Sequence, residues 1–250
     1  MVINGMLLLV ALCGWVVGGE EGAHWAVSGG TGTTPASISP ETMLRQYGAH
    51  RLTPQMWPAL FDQLQGMSRR AGLPRPPELY YLPDPHSMNA YALGGPEHSA
   101  VTLTEGLLRG MTLGEIVGIL AHEVAHISNN DGWAMALAAG LYRTTALTAL
   151  MGAGQRRDGP LALLLSSAPM VGQMLHMALS RIREFDADAV ALDLVDDPHA
   201  FLTALHKLEH HHNGDRRRQP APPSDDMLRF LRSHPETWER VGTLLRRSWR

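Results

Sequence analysis

Residues 112–131 read TLGEIVGILAHEVAHISNND, and this stretch decides the reading of the whole chain. Its opening, Thr112-Leu-Gly-Glu115, is a capping-box pattern, in which a hydroxyl and a carboxylate satisfy the free N–H groups at a helix start. Ile116, Val117, Ile119, Leu120 and Val124 supply an apolar face, and Asn129-Asn130-Asp131 a polar stop. The spacing therefore predicts a helix running to about Asn129. His122 and His126 stand four residues apart on it, so their imidazoles share a face and can meet at one ion. Glu123 is one step round from the first histidine, beside the ion's open position without being a ligand. Two imidazoles and an adjacent base are what a hydrolytic zinc centre requires.

The composition narrows the donor set. Cys13 is the single cysteine among 250 residues, which excludes an intrachain disulfide framework and any cluster of thiolate ligands. Thirteen histidines remain, so a metal site here must use imidazole and carboxylate. Charged residues make up 18% against 44% hydrophobic, where ordinary globular chains carry roughly a quarter charged. Disorder over most of the length is excluded, leaving a soluble globule with a large core or a protein that touches a membrane. A mean hydropathy of −0.11 excludes a chain mostly embedded in lipid. A net charge of −3 provides no basic field for nucleic acid.

Working outward, residues 1–19 carry no charge and read as an apolar segment at the lower limit of a bilayer span. A membrane anchor, a signal peptide and a buried helix all fit. Residues 20–41, rich in Gly, Thr, Ser and Pro, read as a linker, and 42–250 as one domain. Helical spacing of Trp57, Leu60, Phe61, Leu64 and Met67 predicts a helix over 54–71. Residues 78–82 and 100–104 have short strand patterns, and Asn89-Ala-Tyr-Ala-Leu-Gly-Gly a strand ending in a glycine turn. Residues 133–154 and 159–180 are apolar, forming a helical hairpin that is either core or inserted in a membrane. Residues 209–226 read as a polar, mobile loop, and the Arg-rich tail after it as a solvated helix face. The fold class is α+β, mostly helical, with an active-site helix, a small sheet and the apolar hairpin.

A zinc site open to water needs a third protein ligand. Glu184, in Arg181-Ile-Arg-Glu-Phe-Asp-Ala-Asp188, is the best placed, on a helix extending from the second apolar stretch. Asp188, four residues on, shares its face and could fix the tautomer of a ligand histidine. From spacing alone, a solvated charged face reads equally well.

The segments HEVAHISNND and RIREFDAD, separated by an apolar hairpin, resemble the HtpX family of membrane zinc endopeptidases, relatives of the CAAX prenyl proteases. Asn89-Ala-Tyr-Ala-Leu-Gly resembles the family's N-A-F-A-T-G segment, and Val101-Thr-Leu-Thr-Glu-Gly-Leu-Leu its strand before the active helix. Leu44-Arg-Gln-Tyr-Gly-Ala-His and Ser233-His-Pro-Glu-Thr match its entry segment and its late motif. The resemblance spans roughly residues 42–250. It departs ahead of the catalytic domain, where the family has two spans and this chain offers one short candidate.

The resemblance implies a gluzincin-type metallopeptidase holding one Zn²⁺ on His122, His126 and Glu184, with Glu123 as base. It implies that Asp188 orients a ligand, that His234 helps stabilise the tetrahedral intermediate, and that Asn89 lines the same pocket. A polypeptide would bind extended, adding a strand at a sheet edge near residues 100–104. The implied substrates are misfolded or damaged membrane proteins at the bacterial inner membrane, cut on the cytoplasmic side, with lipid as a partner. Two alternatives share the site: a membrane-associated adaptor or holdase that no longer cuts, and a CAAX-type prenyl-protein peptidase.

Overall fold

The computed structural model describes residues 1–32, 40–153, 159–216 and Arg240. The described elements fall into two compact units. One comprises Met1–Ser37 and Trp133–Ile182, the other Ile38–Gly132 and Arg183–Arg250.

The second unit is built on a four-stranded sheet ordered β1-β2-β4-β3, with β1 at His50–Arg51, β2 at Glu78–Leu82, β3 at Ala90–Gly94 and β4 at Ser99–Thr104. β4 is buried along its whole length. It pairs parallel to β2 (Leu79 opposite Val101) and antiparallel to β3 (Ala92 opposite Val101). The edge expected near residues 100–104 is therefore interior. The sheet ends in β1 on one side and in β3, not β4, on the other.

The helices of this unit share one core with the sheet because their apolar faces demand a partner. α3 (Pro58–Arg70) buries Leu60, Leu64 and Met67, one every helical turn, shorter at its start than the 54–71 expected. α4 (Glu105–Gly110) follows β4 directly, with the Thr104 hydroxyl accepting from the Leu107 N–H. α5 (Leu113–Ser128) carries the capping box read from the sequence: Glu115 accepts from the Thr112 N–H at 2.8 Å. α5 is buried nearly throughout, in one core with Leu64, Val101, Leu103, Leu107 and Phe201. Gly118 lets it approach α8 (Pro198–Arg216): a Cβ there would stand 2.7 Å from the Phe201 Cα. The 209–226 loop reading meets a helix instead, since α8 runs through residues 209–216, and 217–226 lie outside the described residues.

The first unit is helical. α1 (Val2–Gly32) is two arms merged across Gly18 and Gly19, whose φ of +65° at Gly19 is a conformation that favours glycine. The chain reverses there. A Cβ on Gly14 would overlap the Gly22 carbonyl and the Ala26 methyl, and Met6 shares a core with Ala26, Leu137 and Leu141. Residues 20–32, expected as linker, thus form the return arm of a helical hairpin. Close packing of Gly14, Gly22 and Ala26 replaces the apolar periodicity that would have announced it. α6 (Asp131–Ala153) and α7 (Pro160–Leu194) occupy the two apolar stretches.

By length and composition, Val2–Gly29 and Pro160–Leu194 suffice to cross a membrane. The outgoing arm of α1 on its own, at 1.5 Å per residue, extends about 24 Å, less than the ~30 Å of a hydrocarbon core. Leu147, Leu150, Leu163, Met170, Met174 and Met177 are all exposed on α6 and α7. Thr144, Thr145 and Thr148 are buried with hydroxyls donating to carbonyls one turn back, which satisfies them without water.

Candidate metal centre

α5 presents His122 and His126 on one face, and α7 brings Glu184 to them. The two Nε2 atoms are 3.0 Å apart. Glu184 faces both, with Oε2 3.5 Å from His122 Nε2 and Oε1 3.5 Å from His126 Nε2. Tetrahedral bonds of ~2.0–2.1 Å place neighbouring donors about 3.3 Å apart, so the three donors stand close to the spacing a small divalent ion imposes. Among the described residues they are the group of His, Asp, Glu and Cys side chains able to hold one. Glu123, 4% exposed, sits beside His122 on the same buried helix.

The far side of each imidazole is occupied. His122 Nδ1 lies 3.0 Å from Asp188 Oδ1, and His126 Nδ1 lies 2.7 Å from Asp131 Oδ2. With Nδ1 engaged in this way, Nε2 of each ring turns toward the other two donors. Arg183 pairs with Asp131 through Nε and Nη2. Arg240 donates to both oxygens of Asp188, at 2.7 and 2.6 Å, and its Nη1 is 3.2 Å from Glu184 Oε2.

The charge balance fits a dication. Glu123, Asp131, Glu184 and Asp188 bring four carboxylates against the two guanidiniums of Arg183 and Arg240. Two negative charges are left over in a buried site. Burial disfavours a charged His126, but its bonds to Asp131 and Glu184 prevail and push its pKa up to about 10. His122 shifts upward too. Burial, His126 and Arg240 oppose its charge, and Asp188 and Glu184 outweigh them.

Of the residues singled out in the sequence, His122, His126, Glu184 and Asp188 converge here, with Glu123 next to them. Asn89 is tied to the sheet: its N–H donates to Thr104 Oγ1 at 2.9 Å and its Oδ1 accepts from the Ala90 N–H at 3.0 Å. It immediately precedes β3, one of the two edge strands. His234 lies outside the described residues. Asp131, Arg183 and Arg240 were missed. Asp131 looks like the polar end of a helix, and Arg240 like one more cation in an arginine-rich tail. A carboxylate five residues after the second histidine was the one available signal.

A model of peptidase family M48 matches residues 54–248. The chain is 34% identical over 263 residues to a protease HtpX homolog of Acaryochloris marina, covering 90% of this chain and 88% of that one. It is 33% identical over 272 residues to a protease HtpX homolog of Gemmatimonas aurantiaca, covering 98% and 96%. A third such homolog, from Nostoc punctiforme, is 35% identical over 218 residues, covering 81% and 75%.

Proposed function

Because the chain belongs to peptidase family M48 and is a metallopeptidase, we propose that it holds one zinc ion on His122, His126 and Glu184 and cuts unfolded segments of membrane proteins. The observation that carries this reading is the convergence of three donors 3.0 to 3.5 Å apart with a buried carboxylate, Glu123, alongside. Imidazole and carboxylate donors at this spacing suit zinc. When bound, the ion supplies Lewis acidity, which polarises a peptide carbonyl and makes water a better nucleophile at neutral pH.

The remaining work belongs to this chain's own residues. Glu123 takes a proton from the attacking water as the C–O bond forms. It returns that proton to the amide nitrogen as the C–N bond breaks. Asp188 and Asp131 hold the two imidazoles in the tautomer that directs Nε2 inward. Arg240 restrains Glu184 and keeps Asp188 ionised by charge. His234 is retained as a donor to the developing oxyanion, a role resting on resemblance.

An extended substrate strand would add to β3, which among the described strands pairs with β4 alone. That mode uses backbone hydrogen bonds and so tolerates varied sequences. Asn89, fixed to Thr104, holds the start of this edge in place. The exposed apolar faces of α6 and α7, with α1, would contact acyl chains, and the unit that carries the metal donors, residues 38–132 and 183–250, would act at the cytoplasmic face.

Glu123→Gln tests the reading. It keeps the shape of the side chain and removes the base, so zinc content should stay at one per chain while cleavage of casein drops by at least ~10²-fold. Retained cleavage would exclude Glu123 as base. Loss of zinc in Glu184→Gln, with His122 and His126 intact, checks the ligand set separately.

A further inference from the structure

The two ligand histidines are backed by matching arrangements, His122–Asp188–Arg240 and His126–Asp131–Arg183, and the second has a feature that the first lacks. Arg183 is the residue immediately before Glu184. Its guanidinium pairs with Asp131, which lies 4% exposed at the start of α6. It also reaches the Asn129 carbonyl at the end of α5, at 3.5 Å, and Asp186 at 3.5 Å. Asn130 lies between, with φ of +55°, and this left-handed turn brings Asp131 back toward His126. One ion pair therefore joins the neighbour of one ligand to the carboxylate supporting another. It also sits where the chain leaves the catalytic unit, at Gly132, and re-enters it, at Arg183.

We propose that Asp131 and Arg183 are positioning residues that act as one clamp, setting His126 and Glu184 relative to each other so that the metal donors from α5 and α7 arrive together. Asp131 fixes the ring of His126 through Nδ1. Arg183 fixes Asp131 through two N–H groups and, being adjacent to Glu184, sets the rotation of α7 at that ligand. A guanidinium can hold Asp131 and the Asn129 carbonyl at once, where an ammonium has no such fork. The clamp rests on the zinc reading above and adds that ligand placement depends on residues that touch neither ion nor substrate.

The test uses the full chain in detergent, loaded with zinc and titrated against a chelator, for Asp131→Asn, Arg183→Gln, Arg183→Lys and the Asp131→Asn/Arg183→Gln double variant. Loss of such an outer partner typically weakens metal binding 10–100-fold. Each single variant should show a loss of this size, and the double variant should be no worse than the weaker single. The visible spectrum of the cobalt-substituted protein should change in Asp131→Asn, a readout that a merely structural role would not move. Zinc affinity within twofold of wild type in Asp131→Asn and Arg183→Lys, with an unchanged cobalt spectrum, overturns the clamp. Multiplicative losses in the double variant overturn it as well, since they make the two residues independent. If Arg183→Gln does not fold, the Arg183→Lys result decides alone. Glu184→Gln is run beside them: should it also keep its zinc, the ligand assignment itself has failed, and the clamp is not what was disproved.

Discussion

Arg240 closes on Asp188 from 52 residues away in the chain, placing Nε 2.7 Å from Oδ2 and Nη2 2.6 Å from Oδ1. Both residues are buried, and the same guanidinium lies 3.2 Å from Glu184 Oε2. Removing one partner of a buried ion pair leaves the other charge uncompensated, at a cost of about 3–5 kcal/mol. Arg240→Gln should therefore lower the thermal midpoint by more than about 6 °C and loosen the metal. Arg240→Lys restores the charge but not the two parallel bonds, so it should fall between. Differential scanning calorimetry of the zinc-loaded chain checks the order. Equal midpoints for all three proteins would mean that the pair is solvated.

Helix approach sets a second expectation. A methyl group on Gly118 would meet the Phe201 Cα at 2.7 Å and its Cβ at 2.9 Å, and a backbone atom cannot swing aside as a side chain can. Gly118→Ala gains helix propensity, about 1 kcal/mol, but overpacking of this kind costs about 1–3 kcal/mol. α8 must shift from α5 to admit the methyl. The net should be destabilising despite the better helix former, and denaturant unfolding measures it directly. A stabilised variant would show that α8 yields freely.

Much of this site was open to reading from the sequence, for a physical reason. His122 and His126 are placed by helix geometry alone, and the Thr112–Glu115 box fixes where that helix begins. Glu184 needed the resemblance, because a glutamate in an Arg/Asp-rich helix has the same local pattern whether it faces solvent or an ion. Asp131 and Arg240 were not legible. The first depends on one left-handed residue, Asn130, and the second on a contact spanning 52 positions. Strand order failed for a related reason: residues 99–104 alternate like an edge strand, and only pairing on both sides shows them to be central. The return arm of α1 runs into a stretch rich in Gly, Thr, Ser and Pro, so composition points to a linker there.

The capping box gives a pH dependence. Burial alone would raise the Glu115 pKa, but hydrogen bonds from Lys207, at 2.8 Å, and from the Thr112 N–H outweigh it and hold it below the usual carboxylate range. A carboxylate whose pKa is lower folded than unfolded stabilises the fold above the unfolded value, near 4.5. That contribution fades as pH falls through the folded value. Glu115→Gln should thus cost about 1–2 kcal/mol at pH 7, with Lys207 partly exposed and its share screened. The gap between variant and wild type should narrow below pH ~4. Urea unfolding at both pH values checks it, and a gap that stays constant would assign the loss to packing.

Gly14 offers the sharpest check on the α1 hairpin, because the residue beside it is the single cysteine of the chain. Cys13 is fully buried, in a cluster with Val16, Leu165 and Ala168. Gly14 faces the Gly22 carbonyl and the Ala26 methyl so closely that no side chain fits between the arms. Gly14→Val must push the arms apart, and strain of about 1–3 kcal/mol is enough to raise the open population by roughly five- to 150-fold. The thiol of Cys13 should then react with a maleimide faster by about that factor in mild detergent, while Gly5→Val, at a position with open space around it, should leave the rate unchanged. If Gly14→Val leaves it unchanged too, residues 2–32 do not fold back, and α1 is a single straight rod.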